Sequence, residues 1–176
     1  EQQAAQQKAK QLVSEGKVKE AKAFIDGLMA KKKGGDIDLS LLLANIYYIS
    51  DEEASGLSII NDLKKSHPES PLPYEFLANH YFQKQEYESA INEYSQAWNI
   101  KPSELLAIKM SQTLKRLESN EALSPLQDWL AIEKNSPRVM TMLAMSYQEA
   151  GEKEKAIATY EELLTMHTTN AVAMNN

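Results

Sequence analysis

The sequence has no cysteine among its 176 residues, and only six of them are glycine. Without cysteine there is no disulfide, no thiolate zinc site and no thiol nucleophile. The glycines are scattered, so none of them forms the glycine-rich loop that cradles a phosphate group. No apolar run approaches the roughly 20 residues of a membrane-spanning helix. We therefore expect neither a phosphate-cradling loop nor a chain that inserts directly into a membrane.

Histidine is rare too, with His67, His80 and His167 as its three occurrences. No two of them have the spacing of a metal-binding pair, and no Gly-x-Ser-x-Gly motif frames a serine nucleophile. The adjacent carboxylates at 52–53 and 161–162 are typical of a solvated helix surface. The sequence therefore predicts no enzyme, no metal site and no cofactor.

The charge of the chain argues against nucleic acid as a partner. The formal net charge is −6 at pH 7, whereas general binding to nucleic acid needs a basic surface. Hydrophobic residues make up 43% of the chain, which is enough to bury one face of each element in a stack. We expect a protein or peptide partner and no nucleic acid.

The clearest pattern in the sequence lies in residues 71–102. Apolar side chains recur there at intervals of three and four, first in 74–81 and then in 87–98. This spacing is typical of amphipathic helices. Small Ala78 and Ala90 stand among large residues, and a small side chain lets two backbones approach closely. We therefore expect the two helices to touch at these positions.

The same pattern recurs along the chain with a period near 34 residues. The copies of Leu77-Ala78 and Tyr81 are Leu43-Ala44 with Tyr47, and Leu143-Ala144 with Tyr147. Gly56 takes the position of Ala90 in the first of these copies. A weaker copy opens the chain, and a divergent one follows residue 104, where a shift of 34 predicts Ser111, Gln112 and Lys115 at the Leu, Ala and Tyr positions. A fixed period of this length is typical of helical repeat proteins.

Local signals indicate where the helices begin and end. Asp36, Ser103 and Ser136 each precede a helical pattern and can cap its first turn. Gly16 and Gly151 fall in the turn between two helices. In the divergent copy a proline at 125 interrupts the second helix.

That proline predicts a short second helix in the divergent copy, at about 125–134, with Ser124 as its cap. In the last copy we expect the second helix to end near residue 167, with Asn170 capping a further helix. Because the sequence stops soon after that cap, we expect this chain to be a segment of a longer array.

These repeats make the chain similar to the tetratricopeptide repeat (TPR) family, whose unit is a 34-residue helix pair with Leu, a small residue and Tyr in its first helix. The resemblance implies an all-α fold: a TPR α-solenoid of about five repeats, in which antiparallel helix pairs form a right-handed superhelix. It implies one array over 1–176. Its repeats would be 2–36, 37–70, 71–104, the divergent 105–136 and 137–170, with 171–176 as the start of a truncated sixth.

In the TPR family, the first helix of each repeat lines a concave groove that usually binds a peptide. The groove positions carried onto this sequence put Asn45 and Asn79 in consecutive repeats, with Tyr48 and Phe82 three residues further on. The other groove candidates are Lys109, Arg116, Arg138 and Met145, together with Leu106 and Thr113. Asn can both donate and accept hydrogen bonds, so the resemblance implies binding of an extended main chain. The alternative is that Tyr48 and Phe82 fill gaps between repeats.

Two functions follow from this interpretation. The first is a non-catalytic scaffold that holds an extended segment of a partner protein in the groove. The alternative is a structural spacer that self-associates as a homo-oligomer in a larger assembly. Residues 126–176 are also similar to bacterial TPR lipoproteins of the exopolysaccharide export and PEP-CTERM type, through Trp129-Leu130, Leu143-Ala144 and 170–176. That resemblance implies a secretion role in the bacterial periplasm or cell envelope, with the cytoplasm as the alternative location.

Overall fold

The chain is helical in the computed structural model, which describes residues 2–31 and 36–174, and the side chains of residues 3–31 and 36–168. Ten α-helices and no strand lie within these residues. The helices are α1 Gln2–Ser14, α2 Val18–Lys31, α3 Ile37–Ile49, α4 Glu53–Ser66, α5 Leu72–Gln83, α6 Tyr87–Ile100, α7 Glu104–Arg116, α8 Ser124–Ile132, α9 Pro137–Glu149 and α10 Lys153–Met174. The predicted all-α fold is confirmed over these ranges.

Two compact units, residues 1–77 and 78–176, divide the chain within α5. In the first unit, α1 packs on α2 and α3, α2 packs on α3, and α3 packs on α4. In the second unit, α6 packs on α7, α7 on α8, α8 on α9 and α9 on α10. Most of these packed helices follow each other along the chain, as expected of short helix–helix connections. The single array with the repeat boundaries given above stays a prediction.

The core of the first unit forms between α1, α2 and α3. Its buried members are Ala9, Ala21, Ile25, Leu39, Leu43 and Ile46. Ala9 and Ala21 have no exposed surface, because these small side chains lie where α1 and α2 pack together. Larger partly buried side chains, among them Phe24 and Tyr47, close the cluster from its edges.

The helices α3 and α4 are in close contact at Gly56. A Cβ atom at this position would lie 2.8 Å from the Cε2 atom of Tyr48 and 3.2 Å from the carbonyl oxygen of Ala44. These distances leave no room for a larger side chain without a shift of the neighbours. The prediction that the smallest residue stands at the close-contact position of this pair is confirmed.

The core of the second unit forms between α7, α8 and α9. Its buried members are Ala107, Ile108, Leu126, Val139 and Leu143. Trp98 and Trp129 pack against this cluster, with their rings edge to face and the centroids 6.5 Å apart. Ala90 of α6 has no exposed surface, as the close-contact prediction requires.

The first helix of every pair ends in the same backbone turn. The second residue after each of these helices has a positive φ: Gly16 (74°), Asp51 (57°), Gln85 (63°), Glu118 (54°) and Gly151 (75°). Its N–H bonds the carbonyl three residues back, and the next N–H bonds the carbonyl five residues back, as at Glu152 and Tyr147 (2.9 Å). These are the two bonds of the Schellman motif, which satisfies the carbonyls at a helix end. The predicted turn positions of Gly16 and Gly151 are confirmed.

The turn residue also defines the register of the helix before it. The residue seven positions earlier is small and has no exposed surface in all five pairs: Ala9, Ala44, Ala78, Ser111 and Ala144. In the divergent pair this residue is Ser111, whereas the period of 34 predicts Gln112, which is exposed. The prediction is wrong by one residue, because Gln85 and Glu118 lie 33 positions apart.

The same shift corrects two of the predicted groove positions on α7. Leu106 and Thr113 have no exposed surface, and the Thr113 hydroxyl donates to the Lys109 carbonyl at 2.7 Å. The residue before Leu106, Leu105, is 46% exposed. A side chain one position along a helix points about 100° away, so an error of one residue exchanges a buried side chain for an exposed one.

Two of the predicted helix caps are confirmed. The Asp36 carboxylate accepts a hydrogen bond from the backbone N–H of Leu39 at 3.1 Å. The Ser103 hydroxyl accepts one from the backbone N–H of Leu106 at 3.2 Å. Each bond satisfies one of the N–H groups that the first turn of a helix leaves without an intrahelical partner.

Ser136 and Ser124 do not act as the predicted caps. Ser136 is 1% exposed, and its hydroxyl donates to the Glu104 carboxylate (2.7 Å) and accepts from the Trp129 indole N–H (3.2 Å). These buried partners take the place of the helix N-terminus. Ser124 lies inside α8, and Leu123 at the cap position makes no side-chain bond. The short second helix itself is confirmed, since α8 has nine residues.

The last helix is longer than predicted. α10 runs without a break for 22 residues to Met174, so the helix end near residue 167 and the cap at Asn170 are wrong. No glycine or proline interrupts this stretch, and the Thr168 hydroxyl bonds back to the Leu164 carbonyl at 3.2 Å within the helix. Residues 175–176 lie outside the described part. Neither α10 nor any other described helix is long and apolar enough to cross a membrane.

Substitution of glycine by alanine should change the free energy of unfolding in opposite directions at a left-handed turn and inside a helix. Nothing lies within 4 Å of an added Cβ at Gly151 or at Gly27, but only Gly151 has a positive φ. Gly151→Ala should therefore lower the free energy of unfolding by about 1–2 kcal/mol through backbone strain. Gly27→Ala, inside α2, should raise it by about 0.5–1 kcal/mol. Urea unfolding of both variants checks this, and a shift of the same sign in both would contradict the turn geometry.

The register of α7 predicts a stabilising substitution. The Ser111 hydroxyl is fully buried and has no hydrogen-bond partner, so Ser111→Ala should raise the free energy of unfolding by about 1 kcal/mol. The control is Ser146→Ala, because the Ser146 hydroxyl accepts from Lys115 (2.8 Å) and donates to the Met142 carbonyl (2.9 Å). That variant should lose about 1 kcal/mol. A loss of stability in Ser111→Ala under the same urea conditions would mean that its hydroxyl is bonded.

Candidate functional site

Side chains from three consecutive helices of the second unit meet at one oxygen atom. The Asn79 Oδ1 atom, on α5, accepts the phenol O–H of Tyr94 at 2.7 Å and the Nζ of Lys109 at 2.6 Å. Tyr94 belongs to the buried face of α6 and is 2% exposed, while Asn79 and Lys109 are half-buried. The Lys109 Nζ also lies 5.9 Å from the centroid of the Tyr94 ring. The apolar packing of Tyr94 thus fixes the position of both polar partners.

The hydrogen bonds determine which way the Asn79 amide points. A lysine ammonium can only donate, so the amide oxygen, and not the nitrogen, faces Lys109. Two donors then use both lone pairs of this oxygen. What Asn79 can offer to a further group is the pair of N–H donors on its nitrogen.

Asn79 and Lys109 lie in the wall of a cavity of about 380 Å³. The lining residues are Asn79, Phe82, Gln83, Tyr94, Lys109 and Gln112. The volume is within the range of about 300–1,000 Å³ that is usual for ligand pockets. The Phe82 ring packs edge to face on Tyr87, with the centroids 5.4 Å apart, and this contact holds it at the cavity. Three amides, one cation and two rings therefore surround a single space.

Three of the predicted site residues, Asn79, Phe82 and Lys109, are brought together in this cavity. Two further lining residues, Tyr94 and Gln112, are absent from the sequence prediction. Gln112 could be found only with the period of 33, which aligns it with Asn79. The hydroxyl of Tyr94 could be inferred from its chemistry, since a buried tyrosine usually directs its O–H to a polar partner.

The residues predicted in the first unit have a different environment. Asn45 is exposed on α3. Tyr48 is half-buried and packs on Phe76, with the ring centroids 5.6 Å apart, and its ring also lies against Gly56. These contacts are those of a side chain that fills the space between helices. A role for Asn45 and Tyr48 in a peptide-binding groove stays a prediction.

The remaining predicted site residues lie on exposed helix surface. Arg116 and Arg138 are exposed, and Met145 is 50% exposed. None of the three belongs to the lining of the cavity around Asn79. Within the described residues no group of three or more His, Cys, Asp or Glu side chains has the arrangement of a metal site.

The comparisons with known proteins agree with this architecture. Residues 137–167, which span α9 and the first part of α10, match the family described as tetratricopeptide repeat. A crystal structure of MamA superposes with a TM-score of 0.65 at 14% identity, over 93% of this chain and 96% of that one. A search of curated protein sequences gives no significant match.

Two further solved structures show the same similarity. One, also described as a crystal structure of MamA protein, has a TM-score of 0.65 at 13% identity, over 96% of this chain and 93% of that one. Another, "MamA RS-1 ArsTM double mutant", has a TM-score of 0.62 at 9% identity, over 96% and 95% of the two chains. Identities this low show the fold alone. The predicted fold class is thereby confirmed: the chain has a TPR-type helical repeat fold similar to that of MamA, and residues 137–167 carry the sequence of a tetratricopeptide repeat.

Proposed function

We propose that this chain is a non-catalytic protein-interaction scaffold that binds an extended segment of a partner protein in the cavity lined by Asn79, Phe82, Gln83, Tyr94, Lys109 and Gln112. The observation that carries the proposal is the Asn79 amide, which is fixed by Tyr94 and Lys109 with its N–H donors left for a ligand. The TPR-type fold supports it, because repeat proteins of this kind present extended binding surfaces.

The chemistry of the cavity fits a peptide main chain. An extended segment presents carbonyl acceptors and N–H donors at regular intervals along its length. Asn79 donates, and the amides of Gln83 and Gln112 can donate and accept. Phe82 and the edge of Tyr94 supply apolar contact for the side chains of the segment. This combination recognises the backbone and tolerates varied side chains.

The proposal predicts losses of affinity at single amides. Gln83 and Gln112 are exposed and line the cavity, so Gln83→Ala and Gln112→Ala should each weaken a bound peptide by about 1–3 kcal/mol, because a buried peptide group loses its bond. Folding stability should barely change. The probe is a peptide selected on the immobilised chain from a random display library, and the measurement is calorimetric titration.

The matched controls for this titration lie on α6. Gln96 and Asn92 are exposed and do not line the cavity, so Gln96→Ala and Asn92→Ala should bind the selected peptide as the unmodified chain does. Full affinity in the Gln83→Ala, Gln112→Ala double variant would move the binding site away from this cavity.

Self-association is the second candidate function, and one surface favours it. Ile157 and Leu164 on α10 are 58% and 65% exposed. They follow the buried alanine of α10 by one and eight positions. Ile91 and Trp98 follow the buried alanine of α6 by the same numbers of positions, and both are half-buried. A pair of exposed apolar side chains seven residues apart, which is about two helical turns, is typical of a helix that packs against another surface.

A spacer that self-associates through α10 should lose that property when the apolar stripe is charged. Leu164→Glu should shift sedimentation equilibrium towards the monomer, because a carboxylate is costly to bury in an apolar contact. Ala158→Glu places the same charge at another exposed position of α10 and should leave the equilibrium unchanged. A chain that is monomeric over the whole concentration range would exclude this candidate.

The cellular setting of the scaffold is also a proposal. The resemblance of residues 126–176 to bacterial TPR lipoproteins of the exopolysaccharide export and PEP-CTERM type supports a place in a secretion assembly of the bacterial envelope. Fractionation of cells with an antibody against the chain separates this setting from the cytoplasm.

A further inference from the structure

A second cavity, which shares no residue with the one around Asn79, lies between α8, α9 and α10. Its volume is about 280 Å³, and its lining residues are Leu130, Lys134, Met140, Leu143, Thr159 and Glu162. Met140 and Leu143 are 2% and 6% exposed and form an apolar floor. Lys134 and Glu162 are exposed and place one positive and one negative charge at the rim.

The same corner of the structure recurs at three earlier places, where the second helix of one pair precedes the first helix of the next. Eight residues after the small buried residues Ala21, Gly56, Ala90 and Ala122, the last of which directly precedes α8, stand Met29, Lys64, Trp98 and Leu130. Four residues before the small buried residue of each first helix stand Ser40, Tyr74, Ala107 and Met140. These two positions define equivalent corners at α2–α3, α4–α5, α6–α7 and α8–α9.

An aromatic ring occupies the corners at α4–α5 and α6–α7, whereas the corner at α2–α3 has Met29 and Ser40 at these positions. At α4–α5 the ring is Tyr74, with the Nζ of Lys64 4.3 Å from its centroid. At α6–α7 it is Trp98, which packs against the buried cluster that contains Ala107 and lies edge to face with Trp129. The ring comes from the first helix in one corner and from the second helix in the other. The corner therefore accepts a ring from either side.

The corner at α8–α9 has an aliphatic residue at both positions. Leu130 stands in place of Trp98, and Met140 stands in place of Tyr74. Neither side chain has the flat area of a ring, and the 280 Å³ cavity lies between them. This volume is just below the roughly 300–1,000 Å³ of pockets for whole small ligands, so it suits one large side chain.

We propose that this cavity binds one tryptophan side chain of a partner protein. Leu130, Leu143 and the thioether of Met140 give the ring apolar and sulfur–aromatic contacts. Lys134 at the rim can lie over the ring as Lys64 lies over Tyr74. The Glu162 carboxylate, which also lines the cavity, is an acceptor for the indole N–H.

A second copy of this chain does not supply the side chain. The large apolar side chains that are exposed among the described residues are Ile, Leu and Met, with no aromatic ring among them. Trp98 and Trp129 are packed against each other, and the Trp129 N–H already bonds Ser136. Neither Trp98 nor Trp129 is therefore available to fill the cavity, and the ring is assigned to a partner protein.

The test uses the unmodified chain and short peptides. The probe is the pentapeptide acetyl-Gly-Gly-Trp-Gly-Gly-amide, and its counterpart has Leu in place of Trp. Titration is followed by the methyl NMR signals of Leu130, Met140 and Leu143, which a ring above them shifts upfield. The Trp peptide should bind roughly tenfold more tightly than the Leu peptide, as expected of an aromatic contact with a hydrogen bond.

Filling the cavity from within should abolish binding. Leu130→Trp copies Trp98 and should remove the saturable shift of the Met140 and Leu143 methyl groups. Ile132→Trp adds the same ring at a position of α8 that is 60% exposed and outside the cavity lining, and it should leave binding unchanged. If Leu130→Trp does not fold, Met140→Tyr, which copies Tyr74, fills the corner from the other helix.

Three results would overturn the proposal. The first is the lack of a saturable shift with the Trp peptide on the unmodified chain, which needs no variant. The second is equal binding of the Trp and Leu peptides, or binding that survives in the filled variants. The third is saturation by free tryptophan without any by the pentapeptide, which would make the cavity a site for a small aromatic molecule and exclude a partner segment.

Discussion

A backbone turn with one left-handed residue ends the first helix of every pair, and the positions of the side chains on both helices depend on it. The two hydrogen bonds of the turn fix the direction in which the second helix leaves the first. Counting from the turn residue, a small side chain seven positions earlier has no exposed surface in any of the five pairs. Small residues in the second helices, such as Ala90 and Gly56, are buried as well. Two helices can therefore approach until their backbones are nearly in contact.

In the divergent pair, one residue fewer separates the left-handed turn residue from the small buried residue that follows it. Ala122 follows Glu118 by four positions, whereas Ala90 follows Gln85 by five. The stretch 119–123 makes turns in place of the first helical turn, and α8 begins only at Ser124. The shorter helix still buries Leu126, but it presents Leu130 where α6 presents Trp98. Met140 of α9 is the aliphatic residue on the other side of this corner, and it lines the cavity at α8–α9–α10 together with Leu130.

Much of the fold can be predicted from the sequence, because each helix pair repeats its own small and large residues. What the sequence does not predict is the exact register of each helix. Glycine marks the turn only at Gly16 and Gly151, while Asp51, Gln85 and Glu118 take the same left-handed backbone without that signal. Packing imposes the conformation at these three positions against their local preference, at a cost of about 1–2 kcal/mol each. A prediction that relies on glycine or on a fixed period of 34 therefore misplaces α7 by one residue.

The sequence predicts three of the six residues that line the candidate site, and it does not predict how they bond. Spacing places Asn79, Phe82 and Lys109 on first helices, but only the structure brings Tyr94 and Lys109 to the same oxygen of Asn79. The Asn79 oxygen already accepts two hydrogen bonds, so it cannot accept one from a peptide N–H. Towards a bound main chain, the Asn79 amide therefore acts only as a donor. With the Lys109 ammonium beside it, this wall of the cavity presents donors, and the acceptors have to come from the amides of Gln83 and Gln112. A carbonyl group of a bound main chain would therefore pair with the Asn79 amide nitrogen, and its N–H groups would pair with the amide oxygens of Gln83 and Gln112.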